Sequence, residues 1–272
     1  MFWNFLKPKR PDWAIRSAIA GGASLVIYLG VTWFKPWSPG RFWGLTFGTC
    51  ASVLFLIDGL YPLRRRLLGW SFGTAQRWLQ FHIYGGLLAC LFVLIHIGFR
   101  APGGQFGWWL LLLTLWSTMS GSLGVLLQKW LPTVLAGQLL VEGLYERIPE
   151  LAARLQGEAD QVMSGASEMF ERVYFSDVRG SLAAVSPSWS YLVDISGGRE
   201  SRLAPLKNVA QFLDEAEKLK LHDLQSIVTE KLELDAQYSL QRILRLWLLL
   251  HVPPSMLLLG LVVAHIVSVW YF

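Results

Sequence analysis

Four of the five histidines lie in apolar segments and share one spacing. His82 and His96 bound the segment HIYGGLLACLFVLIH, and His251 and His265 bound HVPPSMLLLGLVVAH. On an α-helix, fourteen residues rise by about 21 Å and end about 40° short of four full turns. Each segment therefore presents two imidazoles on nearly the same helical face, one near each end. The fifth histidine, His222, stands in a polar stretch and is predicted to be solvated.

The equal spacings suit two bis-imidazole metal centres. If the two segments are parallel helices, His82 pairs with His251 and His96 pairs with His265. The two levels are then about 21 Å apart, which fits within a hydrocarbon core about 30 Å thick. Neutral imidazole is a common axial ligand of haem iron, whereas zinc prefers four ligands and each level offers two. The pattern favours two non-covalent haem b groups, since the chain has no Cys-x-x-Cys-His motif.

Glycines and arginines near these histidines are further candidates for cofactor binding. Gly85 and Gly86, one turn after His82, would let a flat porphyrin approach the backbone; close helix packing is the equal alternative. Arg100 and Arg245 would pair with haem propionates. Anchoring at lipid headgroups is the alternative for both arginines.

An acid and two prolines within these segments also lead to predictions. Asp58 is the only acid within a predicted span and lies near its end, where we expect partial solvation. Pro253 and Pro254 closely follow His251. They are expected to kink the helix or to free backbone carbonyls.

The composition predicts that these segments span a membrane. The chain is 53% hydrophobic and only 16% charged, with a positive mean hydropathy, which is too apolar for an ordinary soluble domain. Long windows without charge match the length of about 20 residues that a spanning helix needs. We therefore predict an all-α integral membrane bundle of five transmembrane helices, near 14–34, 42–62, 78–99, 107–128 and 245–271.

The remaining chain is predicted to form a soluble, mostly helical insert between helices four and five. The organisation is thus 1–128 for helices one to four, 129–244 for the insert and 245–272 for helix five. From Lys129 to Arg245 the chain has thirteen basic and seventeen acidic residues, a net charge of −4. Apolar residues at helical spacing predict a helical hairpin whose second arm runs into helix five. We expect the insert either to dock a partner or to stabilise the helix ends.

The short loops predict the orientation. The N-terminal arm and the loop after helix two carry eight lysines and arginines, against three on the other side. This bias places the N-terminus in the cytoplasm and the C-terminus outside, in a membrane of the bacterial inner (plasma) type.

The histidine pattern resembles the membrane domain of the ferric reductase and NADPH oxidase superfamily. In that superfamily, bis-histidine pairs on the third and fifth helices hold two stacked b-type haems, as His82, His96, His251 and His265 would here. The pattern is also similar to cytochrome b of quinol–cytochrome c reductases. The chain shows no flavin or nicotinamide motif, so we expect no NAD(P)H oxidation by this chain alone.

The resemblance implies an electron-transfer subunit of a membrane oxidoreductase complex rather than a complete enzyme. It would carry electrons between the quinone pool and a partner redox protein, either an iron–sulfur protein or a multihaem cytochrome c. Membrane lipid and quinone are the other expected partners, and nucleic acid is not one. The alternatives are a haem-free transporter or proton relay that uses the same histidines, and a membrane anchor for a partner complex.

Overall fold

The computed structural model describes residues 11–62, 74–134, 146–192 and 198–271, which form helices and connecting segments without a β-strand. An all-helical fold was the expectation, and it is confirmed for these residues. The predicted orientation depends on basic residues of the N-terminal arm and of the loop after helix two. Six of them lie outside the described residues: Lys7, Lys9, Arg10, Arg64, Arg65 and Arg66. The orientation therefore stays a prediction.

Among the described residues, five helices are long and apolar enough to cross a membrane by length and composition. The predicted segments coincide with these helices to within a few residues, and the second arm of the insert continues into the last helix, as predicted, in one helix that begins at Glu215. That the five helices are inserted in a membrane remains a prediction. Their bounds are α1 Pro11–Phe34, α2 Phe42–Gly59, α3 Ala75–His96, α4 Gln105–Val134 and α9 Glu215–Tyr271.

Local signals explain where α3 begins and ends. Thr74 is its N-cap, and the Thr74 side chain accepts a hydrogen bond from the Arg77 backbone N–H at 3.3 Å. At the other end, the Gly98 N–H donates to the Ile95 carbonyl and the Phe99 N–H donates to the Leu94 carbonyl, both at 2.8 Å. This is the Schellman pattern, and Gly98 has the positive φ of 66° that it requires.

The end of α3 packs against α1 and α2 through aromatic side chains. Trp37, Phe47 and Ile95 form a buried cluster there. The Trp37 indole lies so close to Gly98 that an added Cβ would be 2.6 Å from Trp37 Cδ1. Tyr28 donates a hydrogen bond from its hydroxyl to the Gly98 carbonyl at 3.2 Å. This packing holds the last turn of α3 in one position.

The chain divides into two compact units. The first comprises Met1–Lys129 and Trp247–Phe272, and the second comprises Trp130–Leu246. Helix α9 contributes its first part to the second unit and its last part to the first. The described residues of the second unit also include a π-helix at Tyr174–Val178 and two short 3₁₀ helices. Its α-helices before α9 are α5 Ile148–Met163, α6 Glu168–Val173, α7 Arg179–Leu182 and α8 Arg199–Val209.

The insert is more segmented than the expected helical hairpin. Gly165 and Gly198 both adopt positive φ, and they lie where α5 ends and where α8 begins. Several short helices therefore pack with the first part of α9 around one apolar core, in which Phe170, Tyr174, Leu206 and Leu224 are fully buried. His222 is exposed, in agreement with the solvated side chain that its neighbours predicted.

A buried ion pair ties the segment after α7 to α9. The Lys231 ammonium, on a side chain only 2% exposed, donates to both carboxylate oxygens of Asp235 at 2.8 Å. It also donates to the Ala184 carbonyl at 3.0 Å, while Asp235 accepts from the Ser186 N–H at 3.1 Å. The contacts to Ala184 and Ser186 thus help to fix this segment on the helix.

Asp235→Ala should loosen this part of the insert, because it leaves the Lys231 ammonium buried without its counter-ion. We expect a loss of about 3–5 kcal/mol in local stability. The measurement is hydrogen–deuterium exchange of residues 183–190 in the full chain. The matched control is Glu168→Ala, which removes the exposed ion pair to Arg172 and should cost at most about 0.5 kcal/mol. Equal exchange in the two variants would contradict the assigned role.

Candidate functional site

The structure brings the four histidine rings together in two pairs. The ring centres of His82 and His251 are 6.3 Å apart, and their planes lie at 82° to each other. The ring centres of His96 and His265 are 6.5 Å apart, with an angle of 74°. All four residues belong to the first compact unit. We call them the His82/His251 pair and the His96/His265 pair.

The separation within each pair matches two imidazoles on opposite sides of one metal ion. A metal–imidazole nitrogen bond is about 2.0–2.1 Å long, and the ring centre lies about 1 Å farther out, so the two centres would be about 6 Å apart. Both ring planes then contain the nitrogen–metal–nitrogen axis, which leaves the angle between them free. Nearly perpendicular rings are compatible with this arrangement.

A backbone carbonyl of α2 orients His96. The His96 Nδ1 atom lies 2.8 Å from the Gly44 carbonyl oxygen. Because a carbonyl oxygen can only accept, Nδ1 must carry the proton and Nε2 keeps its lone pair. The close approach needs a glycine one turn further along α2, since a Cβ on Gly48 would lie 2.7 Å from His96 Nδ1.

A serine of α4 orients His251 in the same way. The Ser120 hydroxyl donates to the Trp116 carbonyl at 2.7 Å, so its oxygen is free to accept from His251 Nδ1 at 2.9 Å. Gly121 leaves room for the ring, because its Cβ would be 3.2 Å from His251 Cε1. The Nε2 atom of His251 again keeps its lone pair.

Trp247 supports the His251 ring from a second side. Its indole stacks on the imidazole with ring centres 5.6 Å apart and an angle of 13°. The indole N–H donates to the Ser120 carbonyl at 2.7 Å. A side chain on Gly124 would occupy the space of this indole, so glycine is required there.

The two prolines free carbonyls without ending the helix. Pro254 has no N–H to donate to the carbonyl of Leu250, and the Trp116 indole N–H donates to it instead, at 2.9 Å. The Ser255 hydroxyl donates to the His251 carbonyl at 2.7 Å. The indole thus pairs the carbonyl that Pro254 leaves free, and the serine hydroxyl gives the His251 carbonyl a donor.

His82 lies beside the carboxyl group of Asp58. Its ring stacks on Tyr61 with centres 4.8 Å apart, and its Nδ1 atom is 3.9 Å from Asp58 Oδ1. Asp58 is only 8% exposed, so the expected partial solvation is wrong. Gly85 and Gly86 explain this burial. Added Cβ atoms there would lie 3.2 Å from Asp58 Oδ1 and 3.5 Å from Asp58 Oδ2.

The surroundings of His265 are aromatic. The Phe106 ring lies 6.0 Å from the imidazole centre at an angle of 35°. The His265 carbonyl accepts a hydrogen bond from Ser268 at 2.8 Å. His265 is thus positioned by ring packing, whereas His96 opposite is positioned by a hydrogen bond.

The candidate cations lie outside the ring pairs. Arg100 is exposed just beyond the end of α3, and Arg245 is exposed on α9, N-terminal to His251. Two cations that the sequence analysis did not single out, Lys35 and Arg41, line a cavity of about 460 Å³ that also reaches Gly44. The carbonyl of Gly44 is the one that orients His96.

Several residues of the site were not found from the sequence. Gly44, Gly48, Ser120 and Gly121 all touch a histidine ring, yet none stands next to a histidine in the chain. The small residues of SGSLG, which starts at Ser120, were a possible signal, because such clusters mark close helix contacts.

The arrangement does not resemble an all-protein metal site. Within the described residues, no group of three or more His, Cys, Asp or Glu side chains could hold a metal ion. Comparison with protein families, curated proteins and solved structures found no match for this chain. The functional argument therefore rests on the geometry of the two pairs.

Gly48→Ala should destabilise the fold, whereas Gly22→Ala should not. Alanine is the better helix former by about 0.5–1 kcal/mol, and nothing lies within 4 Å of a Cβ on Gly22. At Gly48 the new methyl group meets the His96 ring, and such overpacking costs about 1–3 kcal/mol. Thermal unfolding of the purified variants in detergent measures the difference. Equal melting temperatures would show that the His96 ring is not held against α2.

Proposed function

We propose that this chain is a membrane-embedded, dihaem b-type cytochrome subunit that carries electrons across the membrane. The observation that supports this most is the presence of two histidine pairs, each with ring centres 6.3–6.5 Å apart. Two pairs with the same geometry, at the same spacing along both helices, are better accounted for by two equivalent cofactors than by separate structural roles.

Each histidine pair offers the two protein ligands that a haem iron would need. A porphyrin would supply four nitrogens to the iron, so each histidine pair would need to supply only two more. This accounts for two histidines in each pair where the described residues contain no larger metal-binding group. When bound, haem supplies one-electron chemistry between Fe(III) and Fe(II).

The chain's own residues prepare the histidines as ligands. Gly44 and Ser120 hold the Nδ1 protons of His96 and His251, so Nε2 is available on both. A ligating histidine characteristically donates its other N–H to a carbonyl, a carboxylate or a similar acceptor, which fixes the tautomer and the ring orientation.

Basic residues would hold the propionate groups. Arg100 follows His96 at the end of α3, and Lys35 and Arg41 lie at the cavity that reaches Gly44. We propose these three as partners for the propionates at the His96/His265 pair. Arg245, which the sequence analysis assigns the same role for the other pair, belongs to the second compact unit, and its role stays a prediction. Charge-assisted pairing with arginine is the usual solution for such carboxylates.

The redox partners follow from the resemblance noted above. We propose a quinone on one side and an iron–sulfur protein or a multihaem cytochrome c on the other, within a larger complex in a bacterial-type inner membrane. The five apolar helices are compatible with a multi-pass membrane protein. The insert, as a compact unit of its own, is the proposed docking module.

A haem-free proton relay is the second candidate function. The observation in its favour is the buried Asp58 carboxyl group beside His82. Ionisable groups at membrane depth are costly, and they commonly serve proton pathways. In this case the protein would show no haem absorbance bands.

The absorbance spectrum of the purified protein separates the two functions. We expect reduced b-type bands and two haems per chain, quantified against total protein. Their absence, in cells supplied with haem, would refute the proposal and favour the relay. His222→Ala, on the exposed surface of the insert, is the control and should retain both haems.

Single and double variants test the pairing. His96→Ala should remove about half of the haem, because each centre needs both of its axial ligands. Adding His265→Ala should remove no more, since both residues belong to one centre. His96→Ala with His251→Ala should remove nearly all of it. Equal haem content in the two double variants would contradict the pairing.

A further inference from the structure

Asp58 and His82 face each other as unsatisfied polar groups. Asp58 Oδ1 and His82 Nδ1 are both buried, and neither has a hydrogen-bond partner among the described residues. Their separation of 3.9 Å is too long for a hydrogen bond. Buried donors and acceptors are nearly always paired in folded proteins, so this pair requires an explanation.

The surrounding residues keep the carboxyl group where it is. Gly85 and Gly86 lie against the Asp58 oxygens; a Cβ on Gly85 would be tight against Oδ1 at 3.2 Å, and a Cβ on Gly86 would be in ordinary contact with Oδ2 at 3.5 Å. The Tyr61 ring stacks on the imidazole of His82. Residues of α2 and α3 together therefore hold the Asp58 carboxyl group beside Nδ1 of His82.

His96 and His251 show the role of an acceptor beside Nδ1. His96 donates from Nδ1 to Gly44 of α2, and His251 donates from Nδ1 to Ser120 of α4. In both cases the acceptor belongs to a neighbouring helix. Asp58 occupies the corresponding place for His82, and it is the only carboxyl group among these acceptors.

We infer that Asp58 is the positioning residue of the His82/His251 centre, and that its carboxylate accepts a hydrogen bond from the Nδ1–H of His82 when Nε2 of that ring binds iron. The inference rests on the proposed function. It adds that the two centres are unequal, because an ionised carboxylate acceptor makes an imidazole a stronger donor than a carbonyl or hydroxyl acceptor does. The stronger donor favours Fe(III), so the His82/His251 centre has the lower reduction potential.

Two variants of Asp58 test this role. Asp58→Asn keeps an acceptor oxygen but weakens it. We expect both haems to be retained, with one of the two reduction steps moved to a higher potential. Asp58→Leu removes the acceptor, and one of the two haems should be bound about 10–100-fold more weakly. The measurements are a redox titration followed by absorbance and the haem retained during dilution in detergent.

Ser24→Ala is the matched control. Ser24 has the same exposed fraction as Asp58, 8%, and its hydroxyl donates only within α1, to Ala20. This variant should leave both reduction steps and both haems unchanged. A shift in Ser24→Ala as large as that in Asp58→Asn would overturn the inference, because any lost buried polar group would then have the same effect.

The outcomes separate the inference from the proposed function. A wild-type protein without b-type haem refutes the function, and the inference with it. A wild-type protein with two haems, whose reduction steps are unchanged in Asp58→Asn, refutes the inference alone. If Asp58→Leu does not fold, the Asp58→Asn titration decides the question.

Discussion

The central constraint of this structure is that a histidine ring in an apolar helix carries two nitrogen atoms, and both need partners. Leaving either nitrogen unpaired in a medium without water has a substantial free-energy cost. For His96 and His251, Nδ1 donates a hydrogen bond to an acceptor on a neighbouring helix. For His82, the Asp58 carboxyl group lies on the Nδ1 side of the ring. The Nε2 atoms are left for whatever lies between the rings of a pair, and this remaining requirement is what the proposed cofactor answers.

Much of the helix packing can be understood as making room for these rings. Gly48 and Gly121 are the places where α2 and α4 approach an imidazole, and Gly124 admits the indole that stacks on His251. Small residues allow such close approach in helix bundles. Trp116 then donates to the Leu250 carbonyl that Pro254 leaves free, and Ser255 donates to the His251 carbonyl. The result is a set of side chains that are positioned from several helices and not only by the helix that carries them.

The insert follows the ordinary rules of a soluble fold. It has an apolar core of its own, and its buried Lys231–Asp235 pair is fully hydrogen-bonded, as an ion pair in a low-dielectric interior must be. The contrast with the first unit is physical. In the predicted membrane, each polar group of the apolar helices must find its partner within the protein, whereas water would satisfy the polar surface of the insert.

The sequence by itself determined the helical class, the five apolar segments and the two equal histidine spacings, because helix periodicity and hydropathy are local properties of the chain. The spacing also placed both histidines of a segment on one face. Only the tertiary structure decided which atom orients each ring, that Asp58 is buried rather than solvated, and that Gly85 and Gly86 face its carboxyl group. These facts depend on distances between helices that are far apart in the sequence. Such distances are set by side-chain packing across the bundle, and no pattern within a single segment contains them.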